Sequence, residues 1–369
     1  MNIKEISLSV ISMPLKFPFS SHLQTVSERE AIIVEVSDRD GLKGYGEAVA
    51  FSSPWYTEET VKTCYHMLVD FLIPLLQKAK ISHPEQVSHL FEPIRRNQMA
   101  KASLETAIWD LYAKQKGKSL TTILGGNRKE IPSGAVVGSQ SIKEALLQME
   151  KYVAEGYKRI KLKINPPNDY EFLSEIRRQF PDVPILADAN SAYTLQDLDR
   201  LKALDDFQLL MIEQPLAHDD FLDHAKLQKE VKTPICLDES IYSYDDVKRA
   251  IEQESCQVIN IKIGRVGGLK NAKDIYDLCL KNGIDIWVGG MLEFGVSRAH
   301  NIALASLPGF HIPGDISASS RYWEEDITYP EVIVEKGNIA VPIEPGIGFQ
   351  INERRLNEVL IEKRKFQFN

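Results

Sequence analysis

The middle of the chain contains short apolar runs that recur at a nearly fixed interval, and each run ends in a charged side chain. The runs lie in KRIKLKIN, PILADAN, LLMIEQP, PICLDES and QVINIKIG, and their terminal residues are 25, 25, 25 and 24 positions apart. These residues are Lys163, Asp188, Glu213, Asp238 and Lys262. One strand, one helix and two short loops fill such an interval, so the pattern predicts serial β/α units.

The segments between the runs have apolar residues at spacings of three and four, which is typical of amphipathic helices. Two of them begin with an N-cap signal, Thr194 with Asp197 and Ser243 with Asp246. Strands joined by helical crossovers form a parallel sheet. IPSGAVVG precedes the five runs, and DIWVGGM and HIPGDIS follow them. We therefore expect an α/β fold whose eight strands close into a TIM-type (β/α) barrel over residues 130–322. The charged residues should then converge on the rim where such barrels have their active sites.

Residues 1–129 and 323–369 do not follow the interval, and we expect them to form one α+β capping domain. IKEISLSVISM and REAIIVEVSD alternate like antiparallel strands, DRDG predicts a hairpin turn, and three helical segments follow. Near the C-terminus, VIVEKGNIAVP predicts a hairpin and ERRLNEVLIEKRK a charged terminal helix. The polar stretch over residues 16–30 has no clear period. A loop that closes over the active site and an ordinary surface connection both fit it.

Composition excludes several classes of protein. The net charge of −8 and the absence of a basic run argue against a nucleic-acid partner. The four cysteines form no CxxC pair, which favours reduced, buried thiols over a disulfide framework. No apolar run reaches the roughly 18 residues of a membrane-spanning helix. We therefore expect a cytoplasmic protein without a membrane partner, which forms a homo-oligomer through a surface that the sequence does not mark.

Three of the strand-end residues, Asp188, Glu213 and Asp238, are carboxylates on consecutive strands. Oxygen ligands of this kind suit Mg²⁺, with Mn²⁺ as a possible substitute, whereas zinc would favour His or Cys. A single acid at a strand end could equally cap a helix. Three acids at the same position of consecutive β/α units favour a metal site. Asn190 and Glu239 adjoin these acids and could orient the ligands around the metal.

Lysines lie on both sides of the predicted metal site. Lys161 and Lys163 share one face of the second barrel strand, and Lys262 ends the sixth, on the opposite side of the barrel. Removal of a proton beside a carboxylate leaves an enediolate, which only a metal ion and nearby cations can stabilise. A lysine on either face of the substrate could take or return that proton. The pattern therefore predicts an enzyme that removes a proton from the carbon beside a substrate carboxylate.

These motifs, in this order and spacing, resemble those of the enolase superfamily, in its muconate-lactonising-enzyme-like group. The resemblance covers nearly the whole chain and is carried by KLK, DAN, IEQP, LDES and NIKIGRVGG. It implies a metal ion on Asp188, Glu213 and Asp238. It also implies acid/base roles for Lys163 and Lys262, with Lys161 polarising the substrate carboxylate.

The stretches GGMLEFGVSRAHN, SLPGF and PGDISAS are similar to the branch of this family that contains o-succinylbenzoate synthases and N-succinylamino acid racemases. The synthase reaction dehydrates 2-succinyl-6-hydroxy-2,4-cyclohexadiene-1-carboxylate to 2-succinylbenzoate in menaquinone biosynthesis. The racemase reaction is the alternative, alone or as a second activity. Both imply a small carboxylate substrate with a succinyl group. The residues that the resemblance places against the substrate are Arg265, Gly289, Met291, Glu293, Ser133, Ser317 and Phe19.

Three other functions fit less well. An acid-sugar dehydratase would have a His–Asp pair where this chain has Lys262, and His300 and His311 lie on other segments. A dipeptide epimerase would have an Asp-x-Asp pair on the eighth strand, where this chain has Asp315 alone. A scaffold protein that binds metal without catalysis would have lost a lysine or a carboxylate, and all of them are present.

Overall fold

The long N-terminal hairpin begins a four-stranded antiparallel sheet. The computed structural model describes residues 1–20, 24–139, 141–166 and 168–368. The strand order in this sheet is β15-β1-β2-β3. Inward-facing side chains of the sheet pack on the helices that follow it. The strands of the sheet are β1 Ile3–Ser20, β2 Thr25–Asp38, β3 Lys43–Ala48 and β15 Leu360–Gln367.

Residues 16–20 and 25–30 belong to the first two strands of this sheet, so the expectation of irregular structure there was wrong. Cross-strand pairs reach Phe19 with Val26. The register shifts between Pro14 and Phe19, because proline cannot donate a ladder hydrogen bond, and this disruption hides the strand period in the sequence. Residues 21–23 of the predicted loop lie outside the described residues.

The three predicted helical segments of the N-terminal region are confirmed, with one irregularity and with the short helix Leu120–Leu124 as an unpredicted addition. The first predicted helix contains a π-helical turn, Leu68–Leu72, directly ahead of Pro74, which has no amide hydrogen to donate. The helices are α1 Val61–Met67, α2 Ile73–Gln77, α3 Glu85–Phe91, α4 Gln98–Gln115 and α5 Leu120–Leu124.

Two glycines allow α4 to lie directly on β3. A Cβ atom on Gly46 would be 2.0 Å from the carbonyl oxygen of Ser103, and one on Gly44 would be 2.2 Å from that of Ala107. Backbone therefore contacts backbone, and any side chain at either glycine would separate the helix from the sheet.

The repeating segment forms a seven-stranded parallel sheet in sequential order, as the period predicted. Lys163 pairs with Asp188, and Asp188 with Glu213, so the strand ends are in register. The strands are β5 Gly134–Val137, β6 Arg159–Lys163, β7 Ile185–Asp188, β8 Ile212–Glu213, β9 Ile235–Leu237, β10 Val258–Ile261 and β11 Asp285–Val288. The α-helices around them are α6 Ile142–Ala154, α7 Asp169–Gln179, α8 Leu198–Ala203, α9 Phe221–Glu230, α10 Tyr244–Glu252, α11 Ile263–Val266, α12 Leu269–Lys281 and α13 Gly295–Ala305.

Both predicted N-caps are confirmed. Thr194 and Asp197 form a capping box at the 3₁₀ turn Leu195–Asp197 that precedes α8, and Ser243 Oγ accepts from the amide of Asp246 at the start of α10. A second 3₁₀ turn, Leu204–Phe207, follows α8.

The eighth predicted strand, in HIPGDIS, is not a regular strand. It makes one backbone hydrogen bond to each edge of the sheet: Gly134 N donates to Gly314 O at 2.8 Å, and Asp315 N donates to Val288 O at 3.1 Å. Pro313 has no amide hydrogen, which keeps the ladder short. The segment nevertheless joins β5 to β11 and closes the ring, as expected for a barrel.

The C-terminal segment differs from its prediction at two places. The predicted hairpin is only a turn, because β13 Asn338–Ala340 pairs with β4 Glu130–Pro132. The predicted terminal helix is the short α14 Glu353–Glu358, after which the chain becomes strand β15 and pairs with β1. The exposed run of charged residues in LIEKRKF fits an edge strand. The other short elements here are the 3₁₀ turn Ser319–Arg321, β12 Thr328–Tyr329 and β14 Gln350–Ile351.

The pairing of β15 with β1 returns the C-terminus to the N-terminal sheet. Where the capping domain and the barrel divide along the chain stays a prediction. No helix of the described residues has the length and apolar character that crossing a bilayer requires.

Candidate active site

Lys161 lies at the centre of the acidic residues on the rim of the barrel. Its Nζ is 2.8 Å from Asp188 Oδ2, 2.7 Å from Glu213 Oε2 and 3.1 Å from Asp315 Oδ2. The side chain is buried, and burial alone would lower the pKa of the amine. The surrounding carboxylates outweigh that effect and hold the pKa of Lys161 well above its usual value. Lys161 is therefore a fixed positive charge.

Lys163 lies further out on the same strand and faces a cavity. Its Nζ is 2.7 Å from Asp188 Oδ2 and 2.5 Å from Asn190 Oδ1. Asn190 has a φ of 43°, in the left-handed region, and its amide nitrogen donates to Glu239 Oε1 at 2.7 Å. Asn190 thus fixes the amine of Lys163 and connects it to Glu239.

Lys262 approaches the cavity from β10, four strands away from Lys163 in the sheet. Its Nζ is 2.9 Å from Asp238 Oδ2 and donates to the hydroxyl of Tyr56 at 2.6 Å. The guanidinium of Arg265 lies behind it and donates to Tyr56 Oη at 2.7 Å and to Asp238 Oδ1 at 2.5 Å. Tyr56 and Asp238 therefore hold Lys262 and Arg265 in one buried network.

Burial and mutual repulsion raise the pKa values of two carboxyl groups on the rim. Burial, followed by the nearby charges of Asp188 and Asp238, raises the pKa of Glu213 to about 8. The same causes raise the pKa of Glu239 to about 7. Glu239 Oε2 is buried and accepts no hydrogen bond within the described part of the chain, and Glu213 Oε2 has only its ion pair with Lys161. A divalent cation would relieve this repulsion.

The donor set fits a hard divalent metal ion, which takes carboxylate oxygens. Asp188, Glu213 and Asp238 are the residues that would hold it. Among residues 1–20, 24–139, 141–166 and 168–368, no three acids stand at metal-binding geometry. The ammonium of Lys161 is instead in contact with both Asp188 and Glu213.

Aromatic residues from the N-terminal region form the outer wall of the cavity, which contains about 750 Å³ of space that is partly open to solvent. Phe51 and Trp55 pack with ring centroids 4.6 Å apart, and Tyr56 lies beside them. Our sequence predictions missed this wall. The signal was the aromatic cluster FSSPWY, which follows directly after β3. Asp315, Arg321 and Tyr322 also line the cavity and were not predicted as site residues.

The residues expected to contact the substrate divide into two groups. Phe19, Met291 and Ser317 line the cavity together with the lysines, Asp188, Asn190 and Asp238. The others lie behind its surface. Ser133 is fully buried and its hydroxyl donates to Ile316 O. Glu293 accepts from the amides of Met291 and Asn301.

Gly289 and Arg265 also lie outside the lining of the cavity. A Cβ atom on Gly289 would be 2.1 Å from Asn260 Oδ1, which explains the glycine as a packing requirement. Arg265 reaches the site only through Tyr56 and Asp238. His300 is a buried residue of helix α13, and its ring nitrogens contact the carbonyl oxygens of Val296 and Thr106.

A capped parallel barrel with acids and lysines at its strand ends has the architecture of the (β/α)-barrel enzymes, whose active sites lie at this rim. The sequence matches two family models, "Mandelate racemase / muconate lactonizing enzyme, N-terminal domain" over residues 5–125 and "Enolase C-terminal domain-like" over residues 144–355. The chain belongs to the enolase superfamily, which confirms the resemblance. It is an enzyme of this superfamily, whose members depend on a divalent metal ion.

Relatives cover almost all of the chain. An o-succinylbenzoate synthase of Geobacillus stearothermophilus is 58% identical over 356 residues, which are 96% of this chain and 95% of the relative. An N-succinylamino acid racemase of Thermus thermophilus is 43% identical and covers 99% of both chains. A crystal structure of an enolase-superfamily member from Listeria innocua superposes with a TM-score of 0.98 at 42% identity, over the whole of both chains.

Proposed function

We propose that this protein is an o-succinylbenzoate synthase. The observation that carries the proposal is its 58% identity to a synthase over nearly the whole chain. The lysines and carboxylates of the rim support it, because they are the groups that this dehydration needs. The substrate is a cyclohexadiene carboxylate with a succinyl side chain and a hydroxyl group on C6.

Lys163 is the base in this proposal. Its neutral amine takes the proton from C1, and the electron pair moves into the enediolate of the carboxylate. The C6–O bond then breaks, the ring becomes aromatic, and the leaving hydroxide takes a proton and departs as water. Elimination from one face allows the ammonium of Lys163 to supply that proton and return to its neutral form. Asp188 and Asn190 hold the amine in place throughout.

Lys262 and Lys161 supply positive charge. Lys262 faces the other side of the substrate, where its ammonium stabilises the enediolate, and Lys161 polarises the substrate carboxylate. Mg²⁺, when bound, neutralises negative charge on the carboxylate that loses its α-proton. The aromatic wall of Phe51, Trp55 and Tyr56 gives the cavity an apolar side.

The test is a pair of assays on the purified protein with Mg²⁺. The synthase substrate is followed by absorbance, and N-succinyl-phenylalanine is followed in D₂O by NMR. Fast dehydration supports the proposal. Dehydration no faster than the uncatalysed reaction would refute it.

Racemisation of N-succinylamino acids is the second candidate. One observation favours it specifically: Lys163 and Lys262 reach the same cavity from separated strands, so each can exchange a proton on one face of an α-carbon. The 43% identity to a racemase adds support. Exchange of the α-proton of both enantiomers for deuterium would establish this activity, and exchange of neither would exclude it.

Metal removal gives a separate prediction. EDTA should reduce the dehydration rate to background, because the buried carboxylates then repel one another and the substrate carboxylate. Mg²⁺ or Mn²⁺ should restore it, whereas Zn²⁺, which favours nitrogen and sulfur ligands, should restore much less. Activity that persists in EDTA would contradict the role of the three acids.

We further propose that the protein acts in the cytoplasm as a homo-oligomer. Large apolar side chains on the C-terminal segment support association, since Ile333 and Ile343 are 56% and 85% exposed. Light scattering on the eluting protein would measure its mass, and a mass of one chain at micromolar concentration would contradict the oligomer.

A further inference from the structure

Arg321 places a guanidinium group in the wall of the active-site cavity. It ends the 3₁₀ turn Ser319–Arg321, which follows the segment that closes the barrel. Its Nη2 donates to the carbonyl oxygen of Val136 on β5. The rings of Tyr152 and Tyr322 lie 4.8 Å and 5.7 Å from its central carbon atom. The group is therefore held in position by one carbonyl and two aromatic rings.

No carboxylate oxygen of the described residues lies within 4 Å of this guanidinium. Aromatic rings attract a cation but do not neutralise it. The pKa of Arg321 is raised despite burial, through Tyr322 and Tyr152 and finally Asp315, so the group is charged. The hydrogen bond to Val136 occupies one of its five N–H donors, and no other hydrogen bond from it is present within the described part of the chain.

Three fully buried arginines differ from Arg321, which is only partly buried. Arg159 is 2.7 Å from Asp315, and Arg265 is 2.5 Å from Asp238. Arg29 donates hydrogen bonds to four backbone carbonyl groups, so most of its five N–H donors are used. Arg321 alone among these four lines the cavity.

The positive groups that line the cavity form two sets. One set is Lys161, Lys163 and Lys262, where the reacting carboxylate binds in the proposed mechanism. The other is Arg321, whose planar group suits a carboxylate through two parallel hydrogen bonds. A substrate with one carboxylate at the reacting carbon and a second at the end of an acyl arm would use both.

We propose that Arg321 is the binding residue for the second, terminal carboxylate of a dicarboxylate substrate, and so selects succinyl over uncharged acyl groups. This inference rests on the proposed function, in which that carboxylate belongs to the succinyl arm. Ser317, which also lines the cavity, lies four positions before Arg321.

The test compares a charged with a neutral acyl arm. N-succinyl-phenylalanine and its N-succinamoyl analogue, in which an amide replaces the terminal carboxylate, have almost the same shape. Their α-proton exchange in D₂O is measured with the wild-type protein and with Arg321→Gln and Arg321→Lys. A hydrogen bond between two charged groups is stronger than one to a neutral group. We therefore expect the wild type to prefer the succinyl compound about 10-fold to 100-fold in kcat/KM.

Arg321→Gln should lose that preference, because its rate falls on the succinyl compound and changes little on the succinamoyl compound. The loss should be mainly in KM, since the group binds a part of the substrate that does not react. Arg321→Lys should keep part of the preference, because it keeps the charge. Equal losses on both compounds would overturn the proposal and leave Arg321 as a residue that holds its turn against β5.

Direct binding separates this inference from the proposed reaction. The affinities of 2-succinylbenzoate and of its terminal amide for the Mg²⁺-loaded protein are measured by calorimetry, without turnover. The wild type should prefer the dicarboxylate, Arg321→Lys should show a smaller preference, and Arg321→Gln should show none. This result supports the binding role of Arg321 even if neither reaction is catalysed. Equal affinity of the wild type for both ligands overturns the proposed role of Arg321. This comparison needs only the wild type, so it holds even if Arg321→Gln does not fold.

Discussion

At the scale of single residues, the site separates proton transfer from charge stabilisation. Lys163 lies at the cavity between Asp188 and Asn190, whereas Lys161 is surrounded by carboxylates. Both are lysines on one strand, two positions apart, but their surroundings differ. Lys161 cannot give up its proton easily, because several carboxylates stabilise its charge. Lys163 is the better candidate for the base.

The substitution Lys163→Ala should therefore abolish both dehydration and racemisation. Loss of a general base lowers kcat by about 100-fold to 10,000-fold. Steady-state assays on both substrates check this, and an unchanged melting temperature shows that the fold is kept. Lys158→Ala is the matched control, since Lys158 is exposed just before the same strand and should be fully active. Full activity of Lys163→Ala would remove the assignment of the base.

Arg265 acts on the substrate through other residues, and its loss should affect the two reactions unequally. Arg265→Gln removes the bonds to Asp238 and Tyr56 that fix the network around Lys262. Racemisation, which uses Lys262 as a base, should fall roughly tenfold more than dehydration, in which Lys262 only supplies charge. Exchange rates of both enantiomers in D₂O, measured beside the dehydration rate, decide the point. Equal losses in both reactions would contradict this role.

At the scale of elements, close backbone packing connects the N-terminal sheet to helix α4. The positions of β3 and α4 could be predicted from alternation and helical spacing, but not how closely the two would approach. Gly44 and Gly46 permit contact between their backbones. The sequence shows glycines in GLKGYGEAV, and only the tertiary contact shows which of them are required for packing.

Gly46→Ala should destabilise the protein by about 3 kcal/mol, because the new methyl group would meet the carbonyl of Ser103 and force the helix away. Urea unfolding measures the change. Gly117→Ala is the control: its Cβ would have free space, and its φ of +60° alone should give a loss of roughly 1 kcal/mol. Equal losses in the two variants would show that packing at Gly46 is not the cause.

The wrong predictions at this scale have a common origin. Residues 16–20 and 25–30 lie in strands whose register shifts near a proline, and residues 311–317 make only one backbone hydrogen bond to each neighbouring strand. Residues 360–367 form a strand whose partner lies at the other end of the chain. Prolines interrupt the period of two in the first two segments, and the charged run of the third shows no such period. Helices and buried strands of the barrel were predictable because each is long enough, or repeated often enough, to show its pattern.

At the scale of the whole molecule, Glu105 connects the N-terminal helices to the barrel. This buried residue of α4 accepts from the amides of Leu269 and Lys270 at 2.8 Å and 2.9 Å, and from the indole of Trp109 at 2.7 Å. Burial raises the pKa of Glu105 to about 7, although these three donors act in the opposite direction. The contact therefore depends on pH.

The folded protein holds the proton of Glu105 more tightly than the unfolded chain does, so its contribution to stability decreases as pH rises from about 4.5 to about 7 and is constant above. The wild type should lose roughly 3 kcal/mol of unfolding free energy over this range from this group. Glu105→Gln, which cannot ionise, should lose correspondingly less between pH 5 and pH 7.5 in urea titrations. Identical pH dependence in both proteins would contradict the shift.

The sequence by itself determined the barrel and the residues at its strand ends. Parallel strands of one sheet end at one edge, so a period of about 25 residues is enough to bring Lys163, Asp188, Glu213, Asp238 and Lys262 together. Tertiary structure alone decided what surrounds them. Tyr56 contacts Lys262 across 206 positions of the chain, and Arg321 contacts Val136 across 185. No local pattern records such pairs, because they arise only when the folded segments pack against one another.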